Sequence, residues 1–446
     1  MRVWTGGICT SKKCIFKYVL TLWIALLLLA SYGCMDEKAP EAGEEKRADP
    51  SEPMEKIVLM SRAGLEEDVL KKLIATYEET TGGIIEIKEI SRDSYFTTMS
   101  TQLLAGSSEI DIALIPNTYV GMLAEAGALE SLGEYIYSDK ISSEDFFSLF
   151  GYKGDIYLIP TDIITHFLYY RGDLIENPPG TWEEYLEKAK EYTKAINPLS
   201  PTEWGASFSG AVEELPKEFN SILWSFDGDV VDENNNIYIN NRNSINAGEF
   251  IHKLKQSGVI SPETFSWSDE DVLANLADGT TAMAAPLWNT AYYEIKNSSG
   301  RYKDEIKLAL IPGVRKKDGE IYRTPLRYSW TFGINANSLH KKKAWKFLSW
   351  FMSEIGKEAY VKAGGTPPRL SVLLDPLMQR DHPEFDLLIR SLYIGRTEPS
   401  ITFYPGLSEV ESEAISRILA GNAYPEAAFE DAAKKIQEFI KGKEEK

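Results

Sequence analysis

A regular alternation of predicted strands and helices, beginning at Lys56, constrains the fold of this chain more than any other feature of its sequence. After the apolar run 57–60, four apolar residues recur at helical spacing: Leu65, Val69, Leu73 and Tyr77. The runs 84–90 and 111–115 are typical of strands, and residues 95–105 between them are typical of a helix. This alternation predicts a parallel sheet covered by helices.

The middle and the end of the chain are predicted to be richer in helix. Residues 181–285 are expected to be mostly helical, with one strand-turn-strand interruption at 230–240. Thr181 and Glu184 have the spacing of a capping box, in which the hydroxyl and the carboxylate each accept a hydrogen bond from a free backbone amide at the helix start. The runs 307–311 and 332–335 are predicted strands, and the C-terminal part is again helical.

The residues up to Cys34 have the charge and apolar order of an export signal. No acidic residue occurs among them, and the basic residues Arg2, Lys12, Lys13 and Lys17 precede the apolar run 19–30. The run is shorter than the about 20 apolar residues that cross a bilayer, which favours a cleaved export signal; a permanent transmembrane helix is the alternative. A small residue, Gly33, stands before Cys34 as in lipoprotein processing sites, which predicts a lipid on Cys34; cleavage with plain secretion is the alternative. Residues 35–54, charged and containing several prolines, are predicted to be a flexible tether.

Cysteine usage and charge exclude several classes of function. The only cysteines are Cys9, Cys14 and Cys34, so the chain beyond residue 34 has no disulfide, thiolate nucleophile or cysteine-ligated metal. The formal charge is −19, and loss of the four basic leader residues takes it to −23. A field of that sign repels nucleic acid. The four histidines lack metal-ligand spacing, so no metal site is predicted.

Six stretches, in the same order along the chain, carry a resemblance to one known family. They are residues 111–136, 152–190, 228–254, 279–288, 329–352 and 364–376. The most specific is the second, which reads YKGDIYLIPTDIITHFLYYRGDLIENPPGTWEEYLEKAK. In these stretches the chain resembles the extracellular sugar-binding proteins that include maltose- and trehalose-binding proteins.

The resemblance implies an α/β fold of two lobes, the type II periplasmic-binding-protein fold, with the ligand cleft between the lobes. Each lobe would consist of two pieces of chain. Lobe 1 is expected to contain residues 55–164 and 311–350, and lobe 2 residues 165–310 and 351–446. The chain is expected to pass between the lobes near 163–165, near 310–313 and near Trp350.

The resemblance also implies which residues face the ligand. A sugar has apolar C–H faces and a rim of hydroxyls, so aromatic rings suit the faces, and charged or amide groups suit the rim. Trp288 matches the tryptophan on which the family stacks a sugar ring, Asp162 a carboxylate in the cleft, and Arg369 an arginine that reaches the ligand. The further candidates are Asn117, Thr161, Trp330, Tyr328, Trp224, Tyr95 and Arg62.

A structural role is the alternative for four of these residues. Asp162 could cap a hinge turn, and Asn117 could be the N-cap of a helix. Trp224 lies on a helix face with other apolar residues, which also suits core packing. Arg369 could form an ion pair across the lobes.

The resulting hypothesis is the substrate-binding component of an ABC importer, anchored on the outer face of the cell membrane. Its lobes would close over a carbohydrate, with a di- or oligosaccharide favoured, and the permease would recognise the closed shape. It would be a monomer without cofactor or catalytic residue. Two alternatives stay open. One is the same fold binding a polyamine or ferric ion, the latter through Tyr292 and Tyr293 or Tyr169 and Tyr170. The other is an exported carbohydrate-active enzyme, which needs two carboxylates about 5 to 9.5 Å apart.

Overall fold

Strands and helices alternate at the start of the described chain, as the sequence predicts. The computed structural model describes residues 56–211, 215–232 and 234–444, and the predicted export signal, Cys34 and the predicted tether lie outside them. The strands are β1 (Ile57–Arg62), β2 (Ile85–Ile90), β3 (Ile112–Pro116), β4 (Phe150–Tyr152), β5 (Asp155–Pro160), β6 (Ile164–Arg171), β7 (Met283–Trp288), β8 (Ile306–Leu310), β9 (Val314–Arg315), β10 (Ile321–Tyr322), β11 (Arg327–Tyr328) and β12 (Trp330–Ile334).

The helices follow the same order. They are α1 (Leu65–Thr81), α2 (Tyr95–Leu104), α3 (Val120–Glu125), α4 (Gly133–Ser138), α5 (Trp182–Glu191), α6 (Leu215–Ser225), α7 (Arg242–Gln256), α8 (Asp269–Ala277), α9 (Ala291–Asn297), α10 (Lys341–Met352), α11 (Glu354–Ala363), α12 (Leu370–Leu373), α13 (Pro376–Asp381), α14 (Phe385–Ile394), α15 (Tyr404–Leu419) and α16 (Pro425–Glu444). Among the described residues, none of the helices combines the length and the apolar character needed to span a membrane.

A six-stranded sheet, ordered β2-β1-β3-β12-β5-β4, is built from two distant pieces of chain. β1 pairs in parallel with β2 and β3, whereas β12 runs antiparallel to both β3 and β5. Every residue of β3 is buried, which explains why this strand reads as a continuous apolar run. The predicted parallel sheet is therefore confirmed for its first three strands, and the later strands enter it antiparallel.

A second sheet is centred on β6 and is wholly antiparallel. β6 pairs with β7, β8 and β11, and a separate hairpin joins β9 to β10. The capping box predicted at Thr181 and Glu184 is confirmed at the start of α5, where each side chain accepts the other residue's amide at 3.1 Å. The helical prediction for residues 181–285 was too broad, because Pro198 and Pro201 follow α5 and the described residues between α5 and α6 form no helix. The predicted strand pair at 230–240 is reduced to a single bridge between Val231 and Ile237.

The two sheets are joined where β5 leads into β6 and where β11 leads into β12. Only Ser329 separates β11, which still pairs with β6, from β12, which already lies in the six-stranded sheet. This junction lies beyond the passage predicted near 310–313, because the β9–β10 hairpin stays beside α5: Trp182 N donates to Gly313 O at 2.9 Å. Helix α11 packs against α1, so the chain remains with the six-stranded sheet beyond Trp350.

Candidate functional site

A cavity of about 350 Å³ lies between the two sheets. Its lining residues come from the ends of strands and the starts of helices on both sides: Arg62, Gly64, Arg92, Ile164, Lys217, Asp269, Glu270, Leu273, Leu287, Trp288, Thr290, Ala291, Glu294, Tyr328 and Trp330. β1 and β7 both end at it, which fits the rule that ligand crevices open at the carboxyl ends of strands. Four of the predicted ligand residues line it: Arg62, Trp288, Tyr328 and Trp330.

Three aromatic side chains, Trp288, Tyr328 and Trp330, form the deep wall of the cavity, here called the aromatic floor. Their exposed fractions are 9%, 4% and 4%. The Tyr328 ring centroid lies 5.8 Å from that of Trp288 and 6.0 Å from that of Trp330. Trp288 comes from the second sheet and Trp330 from the six-stranded sheet, so each side contributes one indole.

The residues behind the floor fix the two indoles. Phe96 stacks on Trp330 with a centroid distance of 5.9 Å and an interplanar angle of 14°. The His166 ring lies 4.1 Å from that of Trp288 and is fully buried. Burial, and then the nearby charge of Lys217, lower the pKa of His166 to about 3, so the imidazole is neutral at physiological pH. The indoles are therefore held before any ligand arrives.

Charged side chains of both signs surround the floor. The Arg62 guanidinium lies 5.4 Å from the Trp330 ring centroid, and the Lys217 ammonium lies 5.3 Å from that of Tyr328. Arg62 Nε is buried and has no hydrogen-bond partner among the described residues. Asp269 and Glu294 add carboxylates from the first turns of α8 and α9. The cavity thus joins apolar ring faces to donors and acceptors.

One ion pair crosses the cavity from side to side. Arg92 Nη1, in the turn after β2, lies 2.5 Å from Glu270 Oε1, at the start of α8. Burial raises the pKa of Glu270, but hydrogen bonds from Arg92, from the Glu270 backbone amide and from Ser268 outweigh it, and the pKa is lowered. Glu270 is therefore charged at physiological pH.

Three predicted ligand residues, Asn117, Thr161 and Asp162, bind the protein backbone; together they are called the strand brace. Asp162 Oδ1 accepts the Trp330 amide at 2.8 Å, and the Thr161 hydroxyl donates to Trp330 O at 3.0 Å. Asn117 Oδ1 accepts the Ser329 amide at 3.0 Å. The brace holds the junction between β11 and β12, directly behind the aromatic floor.

The structure places the other three predicted residues away from the cavity lining. Tyr95 is fully buried, with its hydroxyl donating to Leu114 O, and its ring contacts Trp330 edge-on at 6.0 Å. Trp224 is buried in α6, where its Nε1 donates to Asp229 Oδ1 at 3.3 Å. Each therefore has a packing role in this structure, and Tyr95 supports the floor from behind.

Arg369 forms an ion pair with Asp145, which is the type of contact given as its structural alternative. Its Nε donates to Asp145 Oδ2 at 2.8 Å, its Nη1 donates to Met352 O at 2.6 Å, and its guanidinium lies 4.8 Å from the Phe146 ring centroid. The Arg369 side chain is 9% exposed and that of Asp145 is 24% exposed. Arg369 Nε and Nη1 therefore both donate hydrogen bonds within the protein.

The tyrosine pairs considered for iron do not line the cavity. Tyr169 is fully buried and its hydroxyl donates to Trp288 O at 2.7 Å. Burial raises the pKa of Tyr169 well above its ordinary value, which opposes a phenolate. Tyr293 is 69% exposed.

Sequence reasoning missed the charged residues Arg92, Lys217, Asp269, Glu270 and Glu294. The only local signal was at α8, where Ser268 and Asp271 form a capping box that fixes the helix start beside the cavity. Arg92 is 178 residues away from Glu270 along the chain, and nothing local in the sequence indicates that they meet.

Comparison with known proteins gives a family and a fold. Residues 72–384 match the family model described as bacterial extracellular solute-binding protein. The erythritol/L-threitol-binding protein of Mycolicibacterium smegmatis is 24% identical over 343 residues, covering 69% of this chain and 67% of that protein.

Two solved structures share the fold over most of this chain. Maltose-bound T. maritima MalE3 has a TM-score of 0.75 at 24% identity, covering 86% of this chain and 99% of that chain. A solute-binding protein of an ABC transporter from Agrobacterium radiobacter K84, in complex with ribitol, has a TM-score of 0.75 at 20% identity, covering 87% of this chain and 100% of that chain. The predicted two-lobe α/β fold is confirmed by this likeness.

Proposed function

This chain belongs to the bacterial extracellular solute-binding proteins, and from that premise we propose that it binds a carbohydrate between its lobes and delivers it to an ABC importer. The observation that carries the proposal is the aromatic floor surrounded by charged side chains. Trp288 and Trp330 offer apolar faces for C–H surfaces, while Arg62, Lys217 and the carboxylates outside the Arg92–Glu270 ion pair can form hydrogen bonds with hydroxyls.

The balance of charge in the cavity favours a neutral ligand with many hydroxyls. Within the described lining, three cationic side chains face three carboxylates: Arg62, Arg92 and Lys217 against Asp269, Glu270 and Glu294. The three cations would repel a polyamine, and the three carboxylates would repel an anion. A hydroxyl can donate to a carboxylate and accept from a guanidinium, so a sugar or polyol can use both sets.

The names of related proteins agree with that chemistry. Two of these proteins were solved with bound maltose and ribitol, and a third is named for binding erythritol and L-threitol. All of these ligands are neutral and polyhydroxylated. The family is described as one of binding proteins, and these neighbours are named for or solved with bound ligands. We extend this to the present chain as a binder without catalysis, which predicts no hydrolysis products after long incubation with oligosaccharides.

Packing of the described elements supports one division into lobes. The first lobe would contain residues 56–160 and 330–363, around the six-stranded sheet, and the second residues 164–328 and 370–444, around β6. The strand brace lies at the junction between them. A ligand touching Trp288 and Trp330 would contact both lobes and favour the closed shape.

The remaining parts of the proposal concern the leader and the assembly. Lipidation of Cys34 would hold the protein on the outer face of the membrane, beside the permease that receives the ligand. A monomer suits this role. Mass spectrometry of the membrane fraction, compared with a Cys34→Ala variant, tests the anchor.

A thermal-shift screen of the purified protein against mono-, di- and oligosaccharides and polyols tests the function. A ligand at 100 times its dissociation constant stabilises the folded protein by about 2.7 kcal/mol, which gives a clear rise in melting temperature. The expected result is such a rise with one ligand class, followed by saturable heat in calorimetric titration. No response to any carbohydrate, together with a rise on adding spermidine or ferric ion, would overturn the proposal.

A further inference from the structure

The Arg92–Glu270 ion pair, here called the clasp, lies at the solvent end of the cavity. The Arg92 and Glu270 side chains are 49% and 53% exposed, whereas the residues of the aromatic floor are between 4% and 9% exposed. Both clasp residues line the same cavity as the floor. The clasp therefore lies nearer to solvent than the aromatic floor does.

The clasp also joins the two sides of the cleft. Arg92 follows β2 at the edge of the six-stranded sheet, and Glu270 begins α8, which packs against β7 of the second sheet. Ser268 and Asp271 cap α8 and fix where Glu270 stands. The pair can form only when these two elements approach, so its formation coincides with closure.

The cavity is small for a ligand that has several sugar rings. Ligand pockets usually span roughly 300 to 1,000 Å³, and this cavity of about 350 Å³ lies at the lower end. The floor offers two indoles, Trp288 and Trp330, on either side of Tyr328. Two stacking platforms in that volume match one or two rings.

We propose that the clasp limits the length of the ligand, so that this protein selects carbohydrates of one or two rings and excludes longer chains. The inference rests on the proposed function and deepens it by naming the size class of the ligand. A third ring would have to occupy the place where Arg92 and Glu270 meet. Binding it would require the ion pair to open and the lobes to stay apart.

The test is a titration series with defined probes. Glucose and its α-1,4-linked oligomers of two to five rings, with the β-1,4-linked series in parallel, are titrated into wild-type protein and into the Arg92→Ala/Glu270→Ala double variant. Wild-type protein is expected to bind a member with one or two rings and to bind three rings at least about tenfold more weakly, since pockets discriminate against even one extra methylene by about that factor.

The double variant should lose most of that discrimination. Its affinity for the short ligand should fall only about two- to fivefold, the range for an exposed ion pair. The charge-swapped variant Arg92→Glu/Glu270→Arg should restore the wild-type preference. Arg315→Ala is the matched control, because Arg315 and Glu184 form a pair at 3.1 Å with 51% exposure each, outside the cavity lining.

The outcomes separate the clasp from the proposed function. A wild-type protein that binds three to five rings as tightly as two, or a double variant that keeps the wild-type length profile, overturns the clasp while carbohydrate binding stands. A protein that binds none of the probes, although it responds to a non-carbohydrate in the thermal-shift screen, overturns the proposed function and the clasp with it.

Discussion

The aromatic floor and the strand brace were both expected to face the ligand, and the structure gives them different partners. The floor residues Trp288 and Trp330 present ring faces to the cavity, while the brace residues direct their polar atoms at the backbone of residues 329 and 330. Trp330 belongs to both regions, since its side chain lies in the floor and its amide is bound by Asp162. Here the polar residues after the strands bind the backbone where the chain passes between the sheets. An indole has only one N–H donor and presents its ring face to the cavity instead.

Removing Arg369 should give the largest effect on stability and should leave the floor untouched. Arg369→Ala breaks a pair that is largely buried on the arginine side and leaves Asp145 without its guanidinium. The expected loss in the free energy of unfolding is about 3 kcal/mol, measured by denaturant unfolding followed by circular dichroism. Ligand affinity should be unchanged. Affinity lost with stability retained would instead show that Arg369 reaches the ligand.

Asp162→Ala should lower stability and affinity together, because the brace and the floor share Trp330. The Trp330 amide loses a charged acceptor, which costs about 2 kcal/mol, and the indole loses its fixed position. Denaturant unfolding and calorimetric titration on the same sample measure both. Asn117→Ala, which frees only the Ser329 amide, is the weaker companion variant. A normal affinity in Asp162→Ala would show that the strand brace does not position the indole of Trp330 for the ligand.

Trp288→Leu should act mainly on binding. Loss of the indole face from the second sheet is expected to weaken affinity about 30-fold, the size of effect typical of a buried aromatic anchor. The free energy of unfolding should fall by only about 1 kcal/mol, because leucine still fills part of the space beside His166. A stability loss larger than the affinity loss would assign Trp288 to the core.

The smallest expected effect is a change in the acid sensitivity of folding. Burial raises the pKa of Asp145, but hydrogen bonds from Ser371 and Arg369 outweigh it, so the pKa is lowered in the folded protein. Its stabilising contribution is therefore complete above about pH 4, the ordinary value, and is lost as the pH falls below it. Arg369→Ala should flatten this part of the stability profile relative to wild type. An unchanged slope would contradict the assigned cause.

Sequence patterns located the elements well where one period governs a whole segment. The buried run of β3 and the capping box of α5 are local signals, and both are confirmed. The junction at Ser329 could not be found in this way, because the two-residue strands β9, β10 and β11 are too short to show a period. Tertiary pairing alone determines which sheet they join.

The candidate site was only partly accessible to sequence reasoning. Resemblance brought out Trp288, Tyr328, Trp330 and Arg62, all of which line the cavity. It could not reveal that the hydrogen-bonding atoms of Asp162 and Arg369 are engaged by the protein, since that depends on where Trp330 and Asp145 lie after folding. The clasp depends on the approach of two elements from opposite sides of the cleft.

Trp330 belongs to both the aromatic floor and the strand brace, and its indole is a natural fluorophore. Its indole lies in the aromatic floor, where ligand would bind, and its backbone is fixed by hydrogen bonds to Asp162 and Thr161. Filling the cavity and turning the lobes should therefore change the surroundings of the same fluorophore in one event. We expect the emission of this tryptophan, one of ten in the chain, to change with occupancy, so that the unlabelled protein could serve as a fluorescent sensor for its own ligand.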